Sequence, residues 1–429
     1  LVPVDPFYRI DYPDGSVFDY VGDEERLLEQ IRAFNPPDVA GYLRLAEHTR
    51  RIFEVGYEQL ADVPFDRMSD MLKVVPRMIR LQNYRTVYGL VSKYIADDRL
   101  RQAFTFQPLL IGGNPFRATS IYLLIHWLER KWGVHYALGG TRSVVDALVT
   151  LAREIGVELQ FDTAVERIEI SGGRTSAVVT SDGRRIACSN VISNADPTST
   201  YRDLIAPRDR SKYSDRRLGA VQSSMSLFVG YLGTKKVWPE QAHHTIVLGP
   251  RYRELLDDIF VKKVLADDFS LYLHAPTRTD PSVAPPGHEN MYILSPVPNL
   301  KSGVDWEQEK DAYFDAILEH LEKRMLPGLR DNIVTKFCVT PEYFRDTLRT
   351  ADGAAFGPEP VLSQSAWFRY HNRSEDIDGL YFVGAGTHPG AGLPGVLCTA
   401  KVLDRVLQPP SEPDRLPLPA AMPAARVRR

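Results

Sequence analysis

Apolar and polar residues alternate twice near the start of the chain. Phe7, Tyr8, Ile10 and Tyr12 flank Arg9 and Asp11, and Val17, Phe18 and Tyr20 follow across Pro13-Asp14-Gly15-Ser16. Asp-Gly between two such runs predicts a β-hairpin. The apolar spacing then lengthens to the helical period. It predicts one helix from about Asp23 to Phe34, broken by Pro36-Pro37, and a second from Asp38 to about Leu60. Met71 to Ala96 carries Lys73, Arg77, Arg80, Arg85 and Lys93 without an acidic residue, interleaved with Leu72, Val74, Val75, Met78, Ile79 and Val87. A basic amphipathic segment suits a membrane interface, and it equally suits a surface helix pair whose apolar face joins the core. Helical patterning resumes from Arg99 and runs to Arg130, with a break at Gly112-Gly113-Asn114-Pro115, so residues 23–130 read as mostly α.

Beyond this the pattern shortens. Gly139-Gly140 opens a helix whose apolar positions are Val144, Val145, Leu148 and Leu151. Short runs follow at Val157–Phe161, Val165–Ile170, Ala177–Thr180, Arg184–Ala187 and Val191–Asp196, separated by Asp162-Thr163, Gly172-Gly173 and Asp182-Gly183, and they predict a strand meander. Residues 206–374 mix strands at Met225–Tyr231, Ser270–His274 and Met291–Leu294 with an amphipathic helix from about Trp306 to Met325. Leu380–Val383 reads as a buried strand. It enters a turn with Gly384, Gly386, Gly390, Gly392 and Gly395, and a helix follows from Val396. Proline-rich residues 409–429 predict a disordered tail.

Charge and cysteine content narrow the function classes. A formal net charge of −3 over 429 residues gives no reason to expect nucleic acid. Cys188, Cys338 and Cys398 are odd in number and widely spaced, which argues for a reducing compartment rather than a disulfide framework. No apolar run reaches the ~18 residues of a membrane span, so membrane contact would be peripheral.

Candidate chemistry concentrates at the last strand. Strand, glycine-dense turn and helix N-terminus together offer unpaired N–H groups and a positive dipole end to an electron-rich ligand. His243-His244 invites a metal reading, but neighbours on a strand point to opposite faces and no acidic motif accompanies them. No metal site is expected. The run Leu380 to Val396 resembles the C-terminal signature of bacterial-type phytoene desaturases, FAD-dependent carotenoid oxidoreductases of the flavin amine-oxidase group. Further similar strings are Arg117–Tyr122, Gly249–Leu255, Leu271–Pro276 and Gln364–Phe368.

The resemblance implies an α/β plus α fold. It comprises an incomplete FAD/NAD(P)-binding Rossmann-like cofactor domain (131–205 and 375–408), a mixed α+β substrate domain (1–24 and 206–374) and a helical membrane-facing region (25–130). It places FAD against Gly139, Gly140, Val165, Asn194, Ala195, Gly384, Ala385, Gly386, Gly395 and Val396. Gly386 is expected to admit the cofactor, so that a bulky substitution would lose flavin before fold. No G-x-G-x-x-G follows an N-terminal strand, and an N-terminal segment is expected to be missing. The implied reaction moves a hydride from a polyene to the flavin and a proton to a base. Asp70 is the carboxylate chosen for the proton, with an exposed helix cap as its plain reading. Lys73 stands where the family leads one to expect Arg.

Expected partners are phytoene and partly desaturated carotenes, an anionic membrane surface on the cytoplasmic face, and an electron acceptor such as quinone or oxygen. Lycopene formation is the nearest resemblance. Dehydrosqualene, ζ-carotene, neurosporene or an isomerised carotenoid remain alternatives, as does an inactive fragment unable to hold FAD.

Overall fold

The computed structural model describes residues 1–407, and the tail expected at 409–429 lies outside the described residues. In chain order the strands are β1 (Val2–Pro3), β2 (Tyr8–Asp11), β3 (Val17–Tyr20), β4 (His135–Tyr136), β5 (Val165–Ser171), β6 (Arg174–Thr180) and β7 (Arg185–Ala187). They continue with β8 (Val191–Ser193), β9 (Ser226–Thr234), β10 (His244–Val247), β11 (Leu271–His274), β12 (Glu289–Val297), β13 (Ile333–Val339) and β14 (Leu380–Phe382). Seven of them build the main sheet in the order β13-β9-β12-β11-β10-β2-β3. All its pairings are antiparallel except β10 with β2. β5, β6 and β7 form the expected meander, and β8 pairs with β14 in parallel, Leu380 opposite Val191 and Phe382 opposite Ser193.

Local sequence explains these elements. Gly15 supplies the positive φ (81°) of the β2–β3 turn, where an L side chain would be strained. Asp23 accepts from the Arg26 N–H at 2.8 Å and caps the Glu24–Phe34 helix. Alternation along β9 divides the core. Phe228 faces the Trp306–Arg324 helix with Leu271, Leu273, Met291 and Ile293, while Leu227 and Val229 face the helical region with Ile10 and Ile246. Gly230 lies where a Cβ would overlap the Phe314 ring, so the helix can settle onto the strand only because this residue has none. Across the helical side, the Tyr8 hydroxyl donates to Glu129 Oε1 at 2.9 Å and ties β2 to the Leu124–Trp132 helix.

Three expectations are corrected. Val157–Phe161 forms no strand among the described residues; Val157 and Phe161 are exposed and no described strand edge pairs with them. The basic segment from Met71 to Ala96 is two differently packed pieces. The Met68–Arg80 helix has no buried residue, whereas Val87, Leu90 and Val91 of the short Val87–Val91 helix are fully buried, so only the first piece stands on the surface. The second helix also ends early, at Phe53, and passes into a wider turn over Glu54–Gln59.

Candidate active site

The Met68–Arg80 helix is one wall of an apolar groove of about 290 Å³. Met71, Val74, Val75, Met78 and Ile79 line it from this helix, Tyr122 and Phe368 from other segments, and His388 and Pro389 from the glycine-dense turn. Periodicity explains the wall, since positions 71, 74, 75 and 78 repeat at three and four residues and share a face. Lys73, Arg77 and Arg80 fall elsewhere around the same helix, and Leu72 (63% exposed) and Ile79 (58% exposed) are open to solvent. Asp70 is not a helix cap. Arg67 holds that position, and Asp70 sits in the first turn, paired with Lys73 Nζ at 2.8 Å and one residue from the groove wall.

The glycine turn is held from within. Arg369, buried, donates to the Ala385 carbonyl at 2.6 Å and to the Thr387 carbonyl at 3.1 Å. Asn372 Nδ2 donates to the Phe382 carbonyl at 3.2 Å, and the Gly384 N–H donates to Thr399 Oγ1 at 3.0 Å. Sequence reading did not single out Arg369 or Asn372. Their one signal is a polar pair, Arg369 and Asn372, just ahead of a buried strand. A Cβ at Gly384 would overlap Asn194 Oδ1, and one at Gly386 would overlap Pro197 Cδ. Gly386 therefore admits its own chain at close range, so a bulky substitution there would strain the fold as well as any cofactor contact. These contacts join Asn194, Ala195, Gly384, Ala385 and Gly386 in one place, and Gly395 and Val396 begin the adjoining Leu393–Val406 helix.

His388 is the turn residue aimed at the groove. Its Nε2–H donates to the Leu60 carbonyl at 2.9 Å and its ring meets Phe65 edge-on at 4.8 Å. Burial lowers its pKa to about 4, so the ring is neutral near pH 7, and Nδ1 is buried without a partner among the described residues.

Gly139 and Gly140 stand apart from that turn in their anchoring. The Gly139 N–H donates to Asp280 Oδ2 at 2.7 Å. Both have positive φ, and a Cβ on either would meet nothing closer than 3.7 Å. The Thr141–Glu154 helix that follows has no side-chain cap, and neither has the Leu393–Val406 helix after Gly392. Two uncapped helix starts, each preceded by glycine, fit the anionic and electron-rich parts of a dinucleotide. Val165 is exposed at the start of β5.

No family model matches the chain. Among curated proteins, the lycopene-forming phytoene desaturase of Pseudescherichia vulneris is 48% identical over 402 residues, covering 94% of this chain and 82% of the relative. The chain belongs to the phytoene desaturases. The lycopene-forming desaturase of Paracoccus sp. is 46% identical over 408 residues (95% and 81%), and the neurosporene-forming desaturase of Rhodobacter capsulatus is 43% identical over 420 residues (96% and 80%). The chain thus spans about four fifths of these relatives. Solved structures agree at the level of fold. A putrescine oxidase triple mutant matches with TM-score 0.57 at 12% identity over 93% of this chain and 81% of that one, and an oxidoreductase from Methanosarcina mazei with 0.53 at 17% identity over 79% and 72%. This desaturase is accordingly an FAD-dependent oxidoreductase of mixed α/β fold.

Proposed function

We propose that this chain is a lycopene-forming phytoene desaturase that takes its polyene from an anionic membrane on the cytoplasmic face. The observation that carries the reading is the groove, apolar on its helix wall and closed on the other side by His388 and Pro389 of the cofactor turn. FAD, when bound, supplies the two-electron acceptor for carbon–carbon desaturation. The uncapped starts at Thr141 and Leu393, with Gly139, Gly140, Asn194, Ala195, Ala385, Gly395 and Val396 around them, would hold it, and Val165 would face its adenine end. The cofactor part is then an incomplete Rossmann-like unit in which β8–β14 is the parallel pair.

The chain's own residues do the rest. Met71, Val74, Val75 and Met78 bind the polyene by apolar burial and keep water from the reacting carbons. Asp70, paired with Lys73 Nζ at 2.8 Å, accepts the proton. The neutral His388, a groove-lining residue whose buried Nδ1 has no partner among the described residues, is the second group able to take a proton. Leu72, Ile79 and Met68, exposed among Lys73, Arg77 and Arg80, form the membrane face. The electron acceptor that completes the cycle would be quinone or oxygen.

Incubating flavin-loaded protein with phytoene in anionic liposomes and reading the product spectrum tests this. Lycopene from the parent, with much slower formation by Asp70→Asn at equal flavin content, is expected. Neurosporene as the end product would favour the chemistry of the Rhodobacter relative, and unaltered rate in Asp70→Asn would remove Asp70 from the reaction.

A further inference from the structure

Outside the groove lining, the main sheet gathers three imidazoles. In the β10–β11 ladder His244 lies directly opposite His274, so the two rings share one face. His243 precedes β10 by one residue, where strand alternation no longer fixes the side-chain direction, and its ring turns back to meet the pair. Ring centroids are 4.4 Å apart for His243 and His244, 4.7 Å for His243 and His274, and 5.3 Å for His244 and His274. One nitrogen from each ring lies within 4.8 Å of the others. The expectation that neighbouring histidines diverge does not hold here, because only one of them is in the strand.

We propose that His243, His244 and His274 form a three-imidazole site for a divalent transition metal of the zinc class, with a fourth position open to water. Two ligands of a tetrahedral ion at the usual ~2.0–2.1 Å Zn–N distance stand about 3.3 Å apart. His243 Nε2 and His274 Nε2 are 2.9 Å apart, and a ligand nitrogen of His244 lies within 4.8 Å of the others. Outer partners match the same pattern. His243 Nδ1 bonds Thr279 Oγ1 at 2.6 Å, and His244 Nδ1 bonds the Tyr272 hydroxyl at 2.7 Å, which orients both rings; an ion would replace the 2.9 Å hydrogen bond between His243 Nε2 and His274 Nε2. His274 Nδ1 is buried without a partner among the described residues.

His243 is only 4% exposed. The absence of carboxylates selects imidazole-preferring ions such as zinc, copper or nickel over calcium or magnesium. A hydrogen-bonded imidazole pair alone would account for His243 and His274 but not for the third ring and its outer partner.

The site also has a structural consequence. Tyr136 packs on His243 at 4.9 Å, and Thr279 adjoins Asp280, the acceptor of the Gly139 N–H. A bound ion would therefore stiffen the start of the Thr141–Glu154 helix. The inference is independent of the desaturase reading.

The test uses the full chain, stripped with a chelator and titrated with Co²⁺ and then Zn²⁺. One equivalent of cobalt with the d–d absorption of a tetrahedral nitrogen site, displaced by zinc, is expected. Thr279→Val should weaken uptake about 10–100-fold, the usual effect of losing an outer partner, and His243→Ala or His274→Ala should weaken it further. X-ray absorption of the zinc-loaded parent, which needs no variant, should count three imidazoles. A folded parent that takes up no equivalent, histidine variants that bind like the parent, or fewer than three imidazoles around zinc would each overturn the proposal.

Discussion

At Gly386 the physical cause of a residue choice is local. A Cβ there would overlap the Pro197 ring, and Gly384 is closed in the same way by Asn194. Gly386→Ala should therefore cost about 1–3 kcal/mol of stability, as overpacking does, together with any loss of flavin. Thermal unfolding of the flavin-free variant checks this, because an unchanged transition would mean the turn yields freely. Sequence reading found the glycines but not this role, since contact between Gly386 and Pro197 depends on β14 pairing beside β8. Asp14-Gly15 and the Asp23 cap were legible because their partners are a few residues away. The histidine trio was not, because the β10–β11 register that pairs His244 with His274 is invisible in either segment alone.

Among elements, β2 and the Leu124–Trp132 helix meet through a titratable contact. Burial raises the Glu129 carboxyl from 4.5 to about 8, so the native state keeps this proton where the unfolded chain has lost it. Between these values the unfolded state binds fewer protons, and stability falls as pH rises, by at most about 1.4 kcal/mol per pH unit. Glu129→Gln should flatten this slope in denaturant titrations at pH 5 to 8 without loss of fold. A slope equal to the parent's would place the proton elsewhere.

The Met68–Arg80 helix makes a separate prediction. Each base near an anionic surface contributes about 1 kcal/mol, and the effect decays within a Debye length. Neutralising Lys73, Arg77 and Arg80 together should weaken vesicle flotation, most at low salt, while flavin content stays constant. Equal flotation of variant and parent would mean that the exposed Leu72 and Ile79 do not serve a membrane. The amphipathic pattern was legible here, but its extent was not. Val87, Leu90 and Val91 carry similar side chains and are buried, a difference set by the sheet and helices packed over them.

For the molecule as a whole, the helical region, the segment 362–368 and the glycine turn meet at one groove. No helix among the described residues is long and apolar enough to cross a membrane. In the proposed reading, a polyene enters past the Met68–Arg80 helix, which lines the groove together with His388 and Pro389. Much of this layout was legible because alternation, helical spacing and the string from Leu380 to Val396 are local signals. What was not legible, such as the Arg369 clamp, depends on partners from other parts of the chain.

The most direct test of the central claim fills the groove and leaves the cofactor residues alone. Val75→Trp places a large ring on the lining of a surface helix that has no buried residue, so the fold should tolerate it. Phytoene conversion in liposomes, measured at matched flavin content, is expected to fall at least about tenfold, equivalent to a barrier about 1.4 kcal/mol higher. Conversion at the parent's rate with flavin bound would contradict the account, because the polyene would then react somewhere other than this groove.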